Sequence, residues 1–299
     1  MSIVNPNEVL NLRKYLVVTL AVLLLGASSY ASENQAYEIV RGPVYDANNV
    51  AAYYSISPFL PGESRVQVLR PESPTDRILF LLPVTPWPGY DEKWDRLGSG
   101  IAEVLNRDYH NRFGYTVVVP DFPGYMPWFV DHDGDPERQH ETYMLRVVIP
   151  FIDDLLEVEK PARDLIGFSK GGFGSLSLIL RHPDRFHAAV AWDPGGVNKP
   201  YSPESVNSLS NAAGSKTRFE YYQLQASIKA NVTHFRGATR IAISGYSSAS
   251  SLEQLHALRN LLDVERVPYL YTESVQVPHR WYSGWMEYAF RSLRQLREG

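Results

Sequence analysis

A serine hydroxyl attacks a carbonyl only when a neighbour takes its proton and another group steadies the oxyanion that forms. Gly167-Phe168-Ser169-Lys170-Gly171 fits the pattern G-x-S-x-G. That pattern marks a strand-to-helix turn too tight for large flanking residues, which pushes the serine out at the top of a sheet. The pentapeptide alone is common. Its context is more specific, because the strand-like Asp164–Gly167 precedes it and a glycine-rich helix start (Gly171, Gly172, Gly174) follows. Ser169 is therefore the candidate nucleophile. The N–H of Lys170, directly after it and at a helix N-terminus, is the first candidate oxyanion donor.

The base must come from later in the chain, after the last strand of such a sheet. Five histidines follow Ser169. His182 sits before Pro183 at a helix end, His187 opens a strand, His234 lies in a polar stretch and His256 belongs to an amphipathic helix. Only His279 stands between the final strand-like run and the final helix.

These residues need a scaffold. Arg77–Leu82 (RILFLL) and Tyr115–Val119 (YTVVV) are short apolar runs without alternation, as in strands buried on both faces. Further strand-like runs are Phe186–Trp192, Thr239–Ser244 and Tyr269–Val277. Helical spacing covers 91–109, 137–158, 170–181, 251–263 and 282–296. Residues 37–70 read as extended segments broken by turns. Strands alternating with helices predict an α/β fold, a mostly parallel sheet with helices on both faces. Residues 196–236, polar and poorly periodic, read as a lid-like insertion.

Composition sets the class. The 299 residues are 44% hydrophobic and 21% charged, as in a globular protein. The net charge of −4 and the lack of a basic run argue against a nucleic-acid partner. With no cysteine, disulfides, thiolate metal sites and cysteine nucleophiles are excluded. Arg13 and Lys14 precede the apolar run Val17–Leu25, and Ser29 and Ala31 give small residues at −3 and −1 of a cleavage site. Residues 1–31 thus read as a secretory signal and 32–299 as one domain, secreted or periplasmic. The run is short for a membrane span, and an uncleaved N-terminal anchor is the alternative. No later segment reads as a span. Removing residues 1–31 takes out Glu8, Arg13 and Lys14, a net +1, and leaves −5.

The stretches Val148–Asp153, Gly167–Gly174 and Arg181–Phe186, with His279-Arg280-Trp281 and Trp285, resemble the esterase D / antigen 85-like group of esterases within the α/β-hydrolase superfamily. The resemblance covers roughly residues 75–295. It implies an α/β-hydrolase fold and hydrolysis of a small-molecule carboxylic ester, sometimes acyl transfer, without a metal or organic cofactor. Two departures stand out. The oxyanion loop, usually His-Gly in that group, corresponds here to Pro83-Val84-Thr85-Pro86-Trp87-Pro88, where prolines have no N–H to give. Thr85 is the candidate second donor. The group also places its acid after the penultimate strand, where this chain has Gly245-Tyr246-Ser247-Ser248. Asp193, at the end of a neighbouring strand, is a candidate migrated acid; an ordinary turn-opening Asp before Pro194-Gly195 is its other reading. Glu253 is the alternative acid.

Trp87, Tyr125 and Trp128 follow strands and either line a substrate pocket or pack as core and rim. Asp131-His132-Asp133-Gly134-Asp135 hints at a calcium loop, but Pro136 and Thr142 stand where an EF-hand needs Gly and Glu. A loop capping the next helix is the better reading, and no metal site is expected. Three functions stay open: an esterase acting through an acyl-enzyme, an acyltransferase on the same residues, and a binding protein on an inactive hydrolase scaffold.

Overall fold

A computed structural model of the chain describes residues 36–85, 100–273 and 276–298. The signal-like segment 1–31, Trp87 and residues 91–99 of the 91–109 helical pattern lie outside the described residues. From Tyr37 onward the chain forms one compact unit.

β1 (Glu38–Tyr45), β2 (Ala51–Ile56) and β3 (Glu63–Leu69) make an antiparallel meander. β3 then pairs antiparallel with β5 (Thr116–Pro120). The remaining pairings are parallel, among β5, β4 (Arg77–Leu82), β6 (Ala162–Phe168), β7 (Ala188–Trp192), β8 (Ile241–Gly245) and β9 (Tyr269–Glu273). The order is β1-β2-β3-β5-β4-β6-β7-β8-β9. The sheet is thus mostly parallel, as the apolar runs predict. The chain leaves β4 for β5 on one side and returns to β6 on the other. In open α/β sheets ligands bind at such a reversal, outside the strand C-termini, and Ser169 follows β6 there.

Strand period two sorts the core into two layers. Ile78, Phe80 and Leu82 of β4 face one cluster, with Leu165, Ala189, Ala191, Ile241 and Ile243. Leu79 and Leu81 face the other, with Ile166, Phe168, Val190 and Trp192. The second layer carries α1 (Gly100–Asn106), α2 (Tyr109–Phe113) and, at the C-terminal end of the described chain, α10 (Trp285–Glu298). Arg297 of α10 bonds the fully buried Asp164 of β6 at 2.7 Å, tying that helix beneath the nucleophile strand.

The first layer carries α3 (His140–Tyr143), a π-helical turn (Met144–Val148), α4 (Ile149–Leu156), α5 (Ser169–Arg181) and α9 (Ala249–Val264). The predicted helix 137–158 is therefore interrupted, directly upstream of Pro150, which has no N–H for the helical ladder. The 91–109 pattern also ends early. The described part stops at Asn106, and Asp108, at φ 56°, breaks the chain before α2.

Residues 196–236 form the β7–β8 crossover. It contains α6 (Leu209–Ala213), α7 (Lys216–Tyr222), α8 (Leu224–Asn231) and a 3₁₀ turn (Val232–Phe235). Ser208 and Ser215 cap α6 and α7 by accepting the N–H groups of Asn211 and Arg218. Leu209, Phe219, Tyr222, Ile228 and Phe235 are buried in the first layer. The serines and asparagines that made this segment look irregular serve helix ends, and its apolar residues join the core.

Candidate active site

The strand register brings the site together. Gly167 pairs with Leu82, Phe168 with Trp192, and Trp192 with Ser244. Ser169, Asp193 and Gly245 therefore emerge side by side at the C-terminal edge of β6, β7 and β8.

Ser169 has φ 55°, a left-handed backbone that a non-glycine residue adopts only under constraint. The turn leaves no room beside it. A Cβ on Gly167 would lie 2.3 Å from the Gly171 backbone, and one on Gly171 would lie 2.3 Å from the Leu82 carbonyl oxygen. Both contacts are impossible for real atoms, so close approach of backbone to backbone is what the two motif glycines supply. α5 starts at Ser169 itself, and its first-turn N–H groups, that of Lys170 included, have no helical partner.

His279 lies in the loop between β9 and α10. Its ring meets Phe168 edge-on at 4.9 Å and stacks on Trp192 at 5.8 Å. Trp285 stacks on Trp192 at 5.7 Å, and Trp281 meets Phe168 at 4.6 Å. This aromatic seat holds the imidazole while leaving its side chain 38% exposed. Its spacing in sequence, Trp281 and Trp285 just after His279, is legible, whereas the contribution of Phe168 and Trp192 needs the sheet register. Among the described residues, His279 is bonded through Nδ1, and no hydrogen bond joins it to Ser169. Catalytic hydrogen bonds are often loose before substrate binds.

His279 Nδ1 lies 3.1 Å from Asp193 Oδ2. Asp193 is fully buried on its side chain, at φ 44°, and its N–H donates to the Ser244 carbonyl. Gly245 faces it: a Cβ there would lie 2.2 Å from Asp193 Oδ1, at φ 148°. A carboxylate at the end of β7 and a glycine at the end of β8 are thus one packing solution. Glu253 is exposed on α9 and makes no hydrogen bond to His279 among the described residues.

Sequence reasoning missed Ser247. Its Oγ lies 3.2 Å from His279 Nδ1 and 3.2 Å from Ser251 Oγ. Ser251 Oγ donates in turn to the Ser248 carbonyl, within the capping box that opens α9. An ionised Asp193 only accepts, so Nδ1 carries the proton. Ser247 is then a second acceptor for it, with its own hydrogen directed at Ser251. Nε2 is left free to take a proton. The signal in sequence was a Ser-rich helix start just where a carboxylate was missing.

The other candidates are placed as follows. Thr85 is partly buried at the edge of the described loop and makes no hydrogen bond among the described residues. Trp128 is buried against Phe173, and its indole N–H donates to the Asn207 carbonyl. Lys170 Nζ lies 5.7 Å from the Trp128 ring centre. Tyr125 is half-buried, with the Arg138 guanidinium 4.4 Å over its ring. Asp131 accepts the N–H and the hydroxyl of Thr142 at 2.9 and 2.6 Å, which caps α3.

Sheet order, crossover helices and the turn after β6 define an α/β-hydrolase fold. The family model described as "Putative esterase" matches residues 123–243, which include Ser169 and Asp193 but end before His279. An S-formylglutathione hydrolase from Agrobacterium tumefaciens superposes with TM-score 0.63 at 17% identity, covering 87% of this chain and 99% of that one. A ferulic acid esterase gives 0.60 at 16% identity, over 83% and 97%. The fluorophosphonate-binding serine hydrolase FphF from Staphylococcus aureus gives 0.61 at 14% identity, over 83% and 97%. At such identities these likenesses are of fold. No curated protein matches the chain. The resemblance to the antigen 85-like esterases is borne out, and with it the enzyme class that the family match carries, a carboxylic ester hydrolase.

Proposed function

We propose that the protein hydrolyses a small-molecule ester through a covalent acyl-enzyme on Ser169. The observation that carries this reading is the 3.1 Å contact between Asp193 and His279 Nδ1 beside a serine in a left-handed turn. Nε2 of His279 takes the Ser169 proton as Oγ attacks the ester carbonyl, then returns it to the leaving alcohol. Asp193 and Ser247 hold the tautomer, and the buried carboxylate stabilises the imidazolium. The Lys170 N–H meets the oxyanion, with Thr85 as the candidate second donor. Water, activated by the same histidine, releases the acyl group. Tyr125 and Trp128, on the loop after β5, border the substrate, and Trp87 stays a candidate from the sequence alone. An alcohol acceptor in place of water would make the same site an acyltransferase, which product analysis with added alcohols distinguishes.

Ser169→Ala should abolish both ester turnover and labelling by a fluorophosphonate while the circular dichroism spectrum stays unchanged. His279→Ala should lower turnover by about 10⁴-fold or more, because the residues act as a unit. Turnover at the wild-type rate in either variant rules the mechanism out, and a folded wild type that neither labels nor hydrolyses esters favours an inactive scaffold.

A further inference from the structure

Lys170 directly follows the nucleophile, yet its side chain has no acidic partner. Among the described residues it forms no salt bridge and no side-chain hydrogen bond; its ammonium has only the Trp128 ring, 5.7 Å away. The chain holds 33 acidic and 29 basic residues, so carboxylates are not scarce. Other half-buried cations here have acceptors: Arg181 has Glu141 at 2.7 Å, Arg163 has Asp153 at 2.6 Å, Arg297 has Asp164 at 2.7 Å, and Arg138 and Arg240 have amide and carbonyl oxygens. Burial alone draws the Lys170 ammonium below the ordinary lysine range, with no neighbouring carboxylate to offset it. A partly desolvated cation is costly to leave without an anion.

Its location gives that cation a use. Trp128 flanks the nucleophile's own turn: a Cβ on Gly195 would lie 3.6 Å from both the Trp128 ring and the Ser169 backbone carbon. The Gly195 N–H also donates to the Ser169 carbonyl oxygen at 2.9 Å. The loops after β5 and β7 thus meet α5 at the edge of the sheet where ligands of this architecture bind. A cation–π contact at 5.7 Å is a weak partner, and it leaves the donors of the ammonium free.

We infer that Lys170 selects esters carrying a carboxylate, which its ammonium binds while Ser169 attacks the ester carbonyl. This rests on the serine-hydrolase reading above and adds its substrate class. The anion pairs with Nζ when the substrate docks and offsets the desolvation that the free site bears. The Trp128 face packs against the apolar part of the same group.

The test uses two matched ester pairs with the purified protein. One pair is 4-nitrophenyl butyrate and 4-nitrophenyl hemisuccinate, which differ by a terminal methyl against a carboxylate on the acyl side. The other is 4-methylphenyl acetate and 4-acetoxybenzoate, which differ likewise on the alcohol side. In at least one pair kcat/KM should favour the charged ester by about tenfold, as expected for a charge-assisted hydrogen bond. The preference should shrink in 0.5 M salt, as a screened pair requires. Lys170→Met should remove the preference, Lys170→Arg should keep it, and Lys170→Glu should invert it. The ratio within a pair is the readout, so a general loss of activity does not imitate the result. If Lys170→Met does not fold, the wild-type ratio and its salt response decide. Labelling by a fluorophosphonate with no charge preference in either pair overturns this inference alone, as does an unchanged ratio in Lys170→Met. Absence of both labelling and turnover counts instead against the serine-hydrolase reading.

Discussion

Asp193 Oδ1 has no hydrogen-bond partner among the described residues, and the side chain is sealed from water. Its Oδ2 contact with His279 is therefore the main thing that compensates its charge. Removing that charge should matter far more than removing Glu253, which is exposed. Asp193→Asn should slow turnover by about 10⁴-fold by allowing the wrong imidazole tautomer, while Glu253→Gln should stay near wild type in steady-state kinetics. Ser247 supplies the sharper control. Ser247→Asp in the Asp193→Asn background puts a carboxylate back on Nδ1 from the β8 side, and should recover at least about tenfold of the lost kcat. Ser247→Ala alone should cost only about fivefold, the worth of one shared neutral hydrogen bond. If Asp193→Asn keeps wild-type turnover, the acid lies elsewhere. Ser169 and His279 were legible as residues because their types and order carry the chemistry. Asp193 was legible only as one of two carboxylates, since choosing between them needs the strand register. Ser247 was legible only as part of a Ser-rich helix start, because a helix-capping serine and a histidine acceptor look alike in sequence.

Elements were readable where burial repeats along the chain. β4, β5 and β7 are buried on both faces and appear in the sequence as apolar runs, while β6 carries Arg163 and Asp164 near its start and is apolar only towards the nucleophile. The crossover helices span five, seven and eight residues, too short for a helical period to show. The segment α3 to α4 holds a different kind of hidden information, a buried His140 whose two ring nitrogens have no hydrogen-bond partner among the described residues. Burial first, then Arg138 and His132, draws its pKa from 6.5 to about 3. Between those values the unfolded chain holds the extra proton, so stability falls as pH falls from about 6.5 towards 3. The slope from this one residue is at most about 1.4 kcal/mol per pH unit. Glu141 beside it acts lower on the scale. Burial pushes its carboxyl up, but hydrogen bonds from His182, Arg181 and Tyr222 prevail and hold it at about 2. Its contribution is present above the ordinary value of 4.5 and is lost as pH falls through 2. In the window from pH 6.5 to 4.5 Glu141 is silent, and His110 and His132, which burial also draws below the ordinary histidine value, add their own slope to wild type and variant alike. Urea unfolding of His140→Leu across it should show a flatter pH dependence than wild type, whatever its effect at neutral pH. An unchanged slope would mean that His140 gains a proton without cost and that its burial is not what the packing implies.

For the whole molecule, the question is which part of the chain the working protein keeps. Residues from Tyr37 onward carry both core layers and the entire described site. No described helix is long and apolar enough to cross a membrane. Upstream, Arg13-Lys14, the apolar run to Leu25 and Ser29-x-Ala31 have the order of charge, apolar stretch and small-residue exit that a signal peptidase reads. With no cysteine anywhere, the chain can enter an oxidising compartment without mispairing. Export with cleavage after Ala31 is the reading these features favour, and it predicts two results. A chain beginning at Ser32 should fold and hydrolyse esters at the rate of the native product, because it keeps both layers of the sheet and the loops at its edge. N-terminal sequencing of the protein from its native host should begin at or near Ser32, with activity recovered outside the cytoplasm. Recovery of intact Met1 on active protein in membranes would instead identify the segment as an anchor holding the same hydrolase at the surface. Intact Met1 on active protein in the soluble cytosol would rule out export.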